Sequence, residues 1–186
     1  KSSVIEGISA LDIALWDIKG KALGCSVATL LGGRVREQVL PYATGLYFKE
    51  GKAIEEYMND VDLYHRLGFG GIKVKIGSNR LEFDLRILKR IREEFGDDFL
   101  LMADSNHAYN VYTALKVGKE LEKLGVLWFE EPVLPEDRKG YRELRAALGL
   151  AIAGGECEYT HFGFRDILFN KEIDIAQPDL AVAGGF

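Results

Sequence analysis

The sequence predicts an α/β fold of parallel strands, a (β/α)8 TIM-like barrel of which about six βα units are present. Three observations carry that reading. Short apolar runs bounded by Gly, Pro or Asp alternate with segments of helical period, the strand-like runs are almost uncharged, and an ionisable residue recurs at the end of successive runs. The 186 residues are 47% hydrophobic and 28% charged, which suits a sizeable core and excludes disorder and collagen-like repeats.

The first element is a helix. Ile8, Leu11, Leu15, Ile18 and Ala22 recur every three or four places between residues 4 and 23, and Gly24 stands where a left-handed C-cap would end it. A second short helical stretch runs up to Gly32-Gly33. Strands are then expected over residues 39–45, 72–76, 99–104, 126–130, 152–156 and 173–177. Helices are expected between them over residues 52–67, 81–95, 112–124, 136–148 and 162–170. Residues 1–38 read as a helical segment ahead of a partial barrel over residues 39–186.

An open doubly wound sheet shares this alternation, but it usually has a glycine-rich phosphate loop after its first strand. No GxGxxG or GxxxxGK[ST] follows any strand here. Instead Lys75, Asp104, Glu130, Glu156 and Asp179 are spaced about one βα unit apart, and in a barrel such strand ends converge on one face. Six units where closure needs eight, and Lys1 in place of an initiator Met, suggest an excerpt of a longer chain.

Composition narrows the partners. A net charge of -5 weighs against nucleic acid, and no uncharged run, residues 38–48 included, approaches the roughly 18 apolar residues of a membrane span. Cys25 and Cys157 are too few for a disulfide framework or a zinc quartet, which fits a cytoplasmic protein with reduced thiols.

Asp104, Glu130 and Glu156 at three consecutive strand ends would repel one another unless a cation lay among them. All-oxygen ligands favour a hard ion, Mg²⁺ before Mn²⁺; the bland alternative is that each acid caps the following helix. Lys73 and Lys75, two apart on one strand, point to the same side. A second ammonium and a divalent cation nearby would depress the pKa of one of them and make it a base, whereas alternating lysines on an exposed edge strand would only guard against aggregation.

These residues resemble the enolase superfamily, mandelate racemase subgroup. The resemblance rests on Leu11-Asp12-Ile13-Ala14-Leu15-Trp16-Asp17, Lys73-Val74-Lys75, Asp104-Ser105-Asn106, Trp128-Phe129-Glu130-Glu131-Pro132, Gly155-Glu156 and Gln177-Pro178-Asp179, in that order over nearly the whole chain. It implies a barrel that binds Mg²⁺ and removes the proton α to a carboxylate to give an enediolate, a chemistry that serves as a standard case of a tuned lysine or histidine base. By similarity Asp104, Glu130 and Glu156 are the metal ligands, Lys75 the base, Lys73 its electrostatic neighbour, and Asn106 a substrate contact. His107 beside it is a second candidate for that contact. Asp179, five places before Gly184, occupies the position where lactonizing enzymes of the superfamily carry a second lysine. It is similar to the Asp of a racemase-type His-Asp dyad whose His would follow beyond Phe186.

The resemblance implies a hydroxy-carboxylate substrate and an acid-sugar dehydratase, with a racemase, epimerase or sugar-lactone cycloisomerase as alternatives using the same machinery. A catalytically silent barrel used for binding is the non-enzyme alternative. Family members are often oligomeric, so a homo-oligomer is expected of the complete protein. Glu131 is expected to order its neighbours, and Trp16 and Trp128 to pack.

Overall fold

The structure, a computed structural model, describes residues 3–186, which form two compact units. The larger, here the barrel unit, comprises residues 40–154 and 170–175; the other, the terminal unit, comprises the described residues up to 39 with 155–169 and 176–186.

The barrel unit repeats strand and helix. β1 (Ala43–Gly45), α3 (Ile54–Arg66), β2 (Gly71–Lys75), α4 (Leu81–Phe95), β3 (Leu100–Asp104), α5 (Val111–Lys123), β4 (Trp128–Glu130), α6 (Arg138–Ala147) and β5 (Ala151–Gly154) follow one another. β6 (Ile175–Ala176) completes a sheet of order β1-β2-β3-β4-β5-β6. The pairings from β1 to β5 are all parallel, so each strand must return through a crossover helix. Helix α4 has the bounds expected from the sequence and β2 the expected length one residue earlier, while the other strands are shorter than the apolar runs because pairing ends where the chain turns away.

Strand alternation sorts the side chains. Ile72, Val74, Leu101, Ala103, Phe129 and Ile152 lie on one face of the sheet and are buried. Each helix supplies the complementary stripe: Tyr57, Met58 and Val61 from α3, Ile87, Leu88 and Ile91 from α4, Val117 and Leu121 from α5, Tyr141 and Leu144 from α6. Burying one such side chain contributes about 1.5–3 kcal/mol. The approach of α5 to Leu148 is so close that a Cβ at Gly118 would collide with the leucine side chain. Asn110 and Asp137 cap α5 and α6, accepting the N–H groups of Thr113 and Gly140 at 2.9 Å each. The other face of the sheet carries Lys73, Lys75, Met102, Asp104, Trp128 and Glu130, so alternation delivers every charged strand residue to one side.

The terminal unit contains α1 (Ser3–Leu23), α2 (Val27–Leu30), α7 (Thr160–Phe169) and α8 (Leu180–Ala183), the last a single turn that periodicity does not reveal. α1 ends as expected at Gly24, with φ of 63°: Cys25 donates to Gly20 O at 3.0 Å and Gly24 to Lys21 O at 3.3 Å, a Schellman ending. Its apolar stripe is exposed, however. Leu11, Leu15 and Ile18 are solvent-facing, and the buried residues of this helix are Ser9 and Gly20. None of the described helices is long and apolar enough to cross a membrane.

Candidate active site

Parallel register builds the site. Lys75 pairs with Asp104 and Asp104 with Glu130, so the last residues of β2, β3 and β4 stand on one level of the sheet, and Lys73 sits one same-face position below Lys75. Lys73 Nζ lies 2.6 Å from Glu130 Oε1 and 3.3 Å from Asp104 Oδ2. Lys75 Nζ donates to Asp104 Oδ2 at 2.5 Å and to Asn106 Oδ1 at 2.8 Å. Two more donors complete the carboxylate shell: the Asn106 N–H reaches Asp104 Oδ1 at 3.0 Å, and the Trp128 indole N–H reaches Glu130 Oε2 at 3.0 Å. Asp104 and Glu130 are fully buried and Lys73 is 8% exposed, so these charges depend on one another for solvation.

The electrostatics follow. Burial works against the ammonium of Lys73, but the hydrogen bond and charge of Glu130 and the charge of Asp104 outweigh it and hold the lysine above its ordinary value. Burial likewise works to raise Asp104. The Lys75 hydrogen bond, the Asn106 N–H and the two lysine charges prevail and hold it below the usual carboxylate range. The sequence predicts a depressed value for one lysine of the pair; for Lys73 the direction is the opposite, because the nearest charges are carboxylates rather than cations.

The backbone is strained at the same face. Among the described non-glycine residues with φ in the left-handed region are Leu46 after β1, Asn106 and His107 after β3, and Glu131 after β4, at 57°, 42°, 67° and 44°. Such residues cost about 1–3 kcal/mol each and persist where surrounding bonds over-determine them. Here the bonds are visible: the Ser105 hydroxyl donates to Glu131 O at 2.9 Å, the His107 N–H donates to the same carbonyl at 2.8 Å, and Glu131 N donates to Ala153 O at 3.0 Å. His107 Nε2 lies 2.8 Å from the buried Glu131 carboxylate, so the loops after β3 and β4 are joined by side chain as well as backbone.

The remaining expected residues belong to the terminal unit. Glu156 is exposed in the turn after β5, beyond the strand expected to end on it. The register explains the difference, since Glu130 pairs with Ala153, three places before Glu156. Asp179 follows β6 and accepts the Ala181 N–H at 2.8 Å, capping α8. One contributor escaped the sequence argument: Trp128, read as packing, donates to Glu130. The usable signal was its spacing, because residues two apart on a strand share a face.

A hard divalent cation fits this donor set. The two buried carboxylates offer only oxygen, and the Lys73 ammonium standing between them marks a place that already favours positive charge.

The sequence profile described as enolase C-terminal domain-like matches residues 56–186, and that of the mandelate racemase / muconate lactonizing enzyme N-terminal domain matches residues 3–32. The chain belongs to the mandelate racemase subgroup of the enolase superfamily. It is 41% identical over 183 residues to D-galactarolactone cycloisomerase of Agrobacterium fabrum, covering 98% of this chain and 48% of that protein. It is 41% identical over 181 residues to arabinonate dehydratase of Saccharolobus solfataricus, covering 97% and 48%. The enolase-superfamily chain therefore spans about half the length of these relatives. Among solved structures, 3,6-anhydro-D-galactonate cycloisomerase from Zobellia galactanivorans superposes with a TM-score of 0.92 at 44% identity, covering 99% of this chain and 51% of that one. L-talarate/galactarate dehydratase from Salmonella typhimurium LT2, liganded with Mg and L-lyxarohydroxamate, superposes with a TM-score of 0.91 at 35% identity, covering 98% and 46%. Its partial barrel of six strands is thus that of the superfamily.

Proposed function

We propose that the full-length protein is an acid-sugar dehydratase, with Lys75 removing the proton α to the substrate carboxylate. The observation that carries the reading is the group of buried Lys73, Asp104 and Glu130 with half-buried Lys75 at the ends of β2, β3 and β4. Two carboxylates and two amines held this closely, on a strained rim, are costly for stability alone and suit proton transfer beside a charged substrate.

In this reading Asp104 and Glu130 hold Mg²⁺, with Glu156 as the third ligand. When bound, the ion supplies positive charge for the carboxylate oxygens of the substrate as the α proton leaves. Lys75 accepts that proton at Nζ, and must present an unprotonated amine to do so. Lys73 carries positive charge towards the same place, and Asn106, already within 2.8 Å of Lys75 Nζ, orients the base and meets a substrate hydroxyl. His107 lines the substrate side of the β3 loop. Asp179 serves the opposite face of the α carbon by orienting a second acid or base, which in the dehydration protonates the β-hydroxyl so that the Cβ–O bond breaks and water leaves.

The substrate class is a hydroxy-carboxylate, by likeness to the arabinonate and talarate/galactarate dehydratases. The two cycloisomerases at 41% and 44% identity support a second reading in which the same proton abstraction opens a sugar lactone or anhydro ring. We also assign the complete protein to the cytoplasm, because two cysteines, Cys25 and Cys157, are too few for a disulfide framework, and expect it to be a homo-oligomer, as members of the superfamily often are.

The test is to follow the α proton by NMR while the full-length protein, with Mg²⁺ in D₂O, is offered acid sugars and their lactones. Exchange with loss of water establishes the dehydratase, and exchange with retained composition establishes a cycloisomerase or an epimerase. No exchange from any of them refutes both.

A further inference from the structure

The conspicuous motif of α1 has no part in the chemistry above, yet its polar residues are tied to the far end of the sequence. Ser9, Asp12 and Trp16 fall at positions i, i+3 and i+7, one face of the helix. Ser9 is fully buried, and its Oγ accepts the Gly184 N–H at 2.8 Å. The Asp12 carboxylate accepts the Phe186 N–H through Oδ2 at 2.8 Å, and the Trp16 and Phe186 rings meet edge-on at 6.1 Å. Gly185, between the two donors, has φ of 94°, and a Cβ there would collide with the Asp12 carboxylate. The Gly-Gly pair is thus matched to α1 in both conformation and clearance.

This turn is one helical turn from Asp179. Ala183 N donates to Asp179 O at 2.7 Å, the Asp179 side chain caps Ala181, and Gly185 N reaches back to Leu180 O at 3.2 Å. A shift of the Gly184–Gly185 backbone is therefore transmitted to the backbone that presents Asp179.

We propose that Ser9 and Asp12 are positioning residues for the loop after β6, fixing Asp179 by holding the N–H groups of Gly184 and Phe186. The proposal rests on the reading of Asp179 given above. It explains why a helix with an exposed apolar stripe keeps a buried serine and an aspartate on one line.

Hydrogen exchange by mass spectrometry and steady-state kinetics on the full-length protein separate this role from plain packing. Losing a charge-assisted bond, Asp12→Ala should exchange the amides of residues 184–186 at least about tenfold faster. Asp12→Asn, whose side-chain oxygen still accepts, should restore protection. Ser9→Ala should expose Gly184 alone, and it carries the same comparison if Asp12→Ala does not fold. The kcat of Asp12→Ala should fall and that of Asp12→Asn should recover, with Mg²⁺ affinity by calorimetry unchanged in both. Unchanged local exchange, or faster exchange with unaltered kcat, overturns the proposal. Full activity of Asp179→Asn instead overturns the role given to Asp179, while the exchange comparison still decides whether the clamp exists.

Discussion

At the ends of β2 to β4, Lys73 and Lys75 face Asp104 and Glu130; ahead of β6 in the same unit, Arg138 and Arg142 bracket Glu172 at 3.1 and 2.9 Å, and Arg145 holds Asp174 at 2.7 Å. Both networks balance acids against bases around buried carboxylates, and Glu172 is only 2% exposed. They differ in the cation and in the end of the strand they occupy. Guanidinium groups stay charged and grip carboxylates by a planar fork, which suits a brace. Ammonium groups are point charges that can give up or take a proton, and they stand here at the strand ends where barrel enzymes keep their chemistry, while the arginine brace lies at the end associated with stability. The lesson is that charge balance alone does not mark a site; exchangeable protons, backbone strain and position along the strand do.

The comparison breaks first at Lys75. Lys75→Ala in the full-length protein should reduce α-proton exchange by about 10²–10⁴-fold, the usual contribution of a positioned base, while leaving the fold intact. Exchange persisting near the original rate would falsify the assignment. Glu130→Ala comes next. It strips Lys73 of its nearest partner and leaves the Trp128 N–H without its acceptor, which should cost about 3–5 kcal/mol in urea unfolding, as when one member of a buried pair is removed. Calorimetry on the same variant should show Mg²⁺ binding lost; retained affinity would remove Glu130 from the proposed ligand set.

The brace should respond differently. Glu172→Gln should lower stability by about 1–3 kcal/mol, discounted from a buried pair because Arg138 and Arg142 are partly exposed and can recover water. Its kcat should be that of the parent protein. A large loss of turnover without loss of stability would erase the distinction between the two networks.

The sequence makes one network far more legible than the other, for a physical reason. Lys73, Lys75, Asp104 and Glu130 sit on strands, where a period of two and a repeat of one βα unit fix both face and level, so spacing predicts that they meet. Arg138, Arg142 and Glu172 join a helix face to a loop, and no local period connects them. Glu156 marks the boundary: one repeat after Glu130 in sequence, it overshoots the paired position at Ala153 because β5 ends at Gly154. The stripe on α1 exposes a second limit, since periodicity yields a helix without saying which face is covered. Helix α8, a single turn, has no period to detect.

The smallest effect sharpens the comparison with a buried acid that has no cation beside it among the described residues. Asp84, 1% exposed, accepts the Gly77 N–H at 2.8 Å and the Asn79 side-chain amide at 3.0 Å, fastening the loop after β2 to α4. Burial pushes it above its ordinary value of 3.8, more strongly than the Gly77 and Asn79 bonds pull it down. A raised value means that the folded protein keeps a proton which the unfolded chain releases. The associated stability is therefore full below pH 3.8 and is lost as pH rises through the folded value, opposite in sign to a carboxylate paired with lysine. Asp84→Asn preserves an acceptor for Gly77 and removes the titration. Urea midpoints measured from pH 7 down to pH 4 should show the parent gaining on this variant as the solution becomes more acidic, by less than the loss at Glu172. A difference between the two proteins that stays constant with pH would mean that hydrogen bonds from Gly77 and Asn79, without any lysine, already solvate a buried carboxylate in this fold.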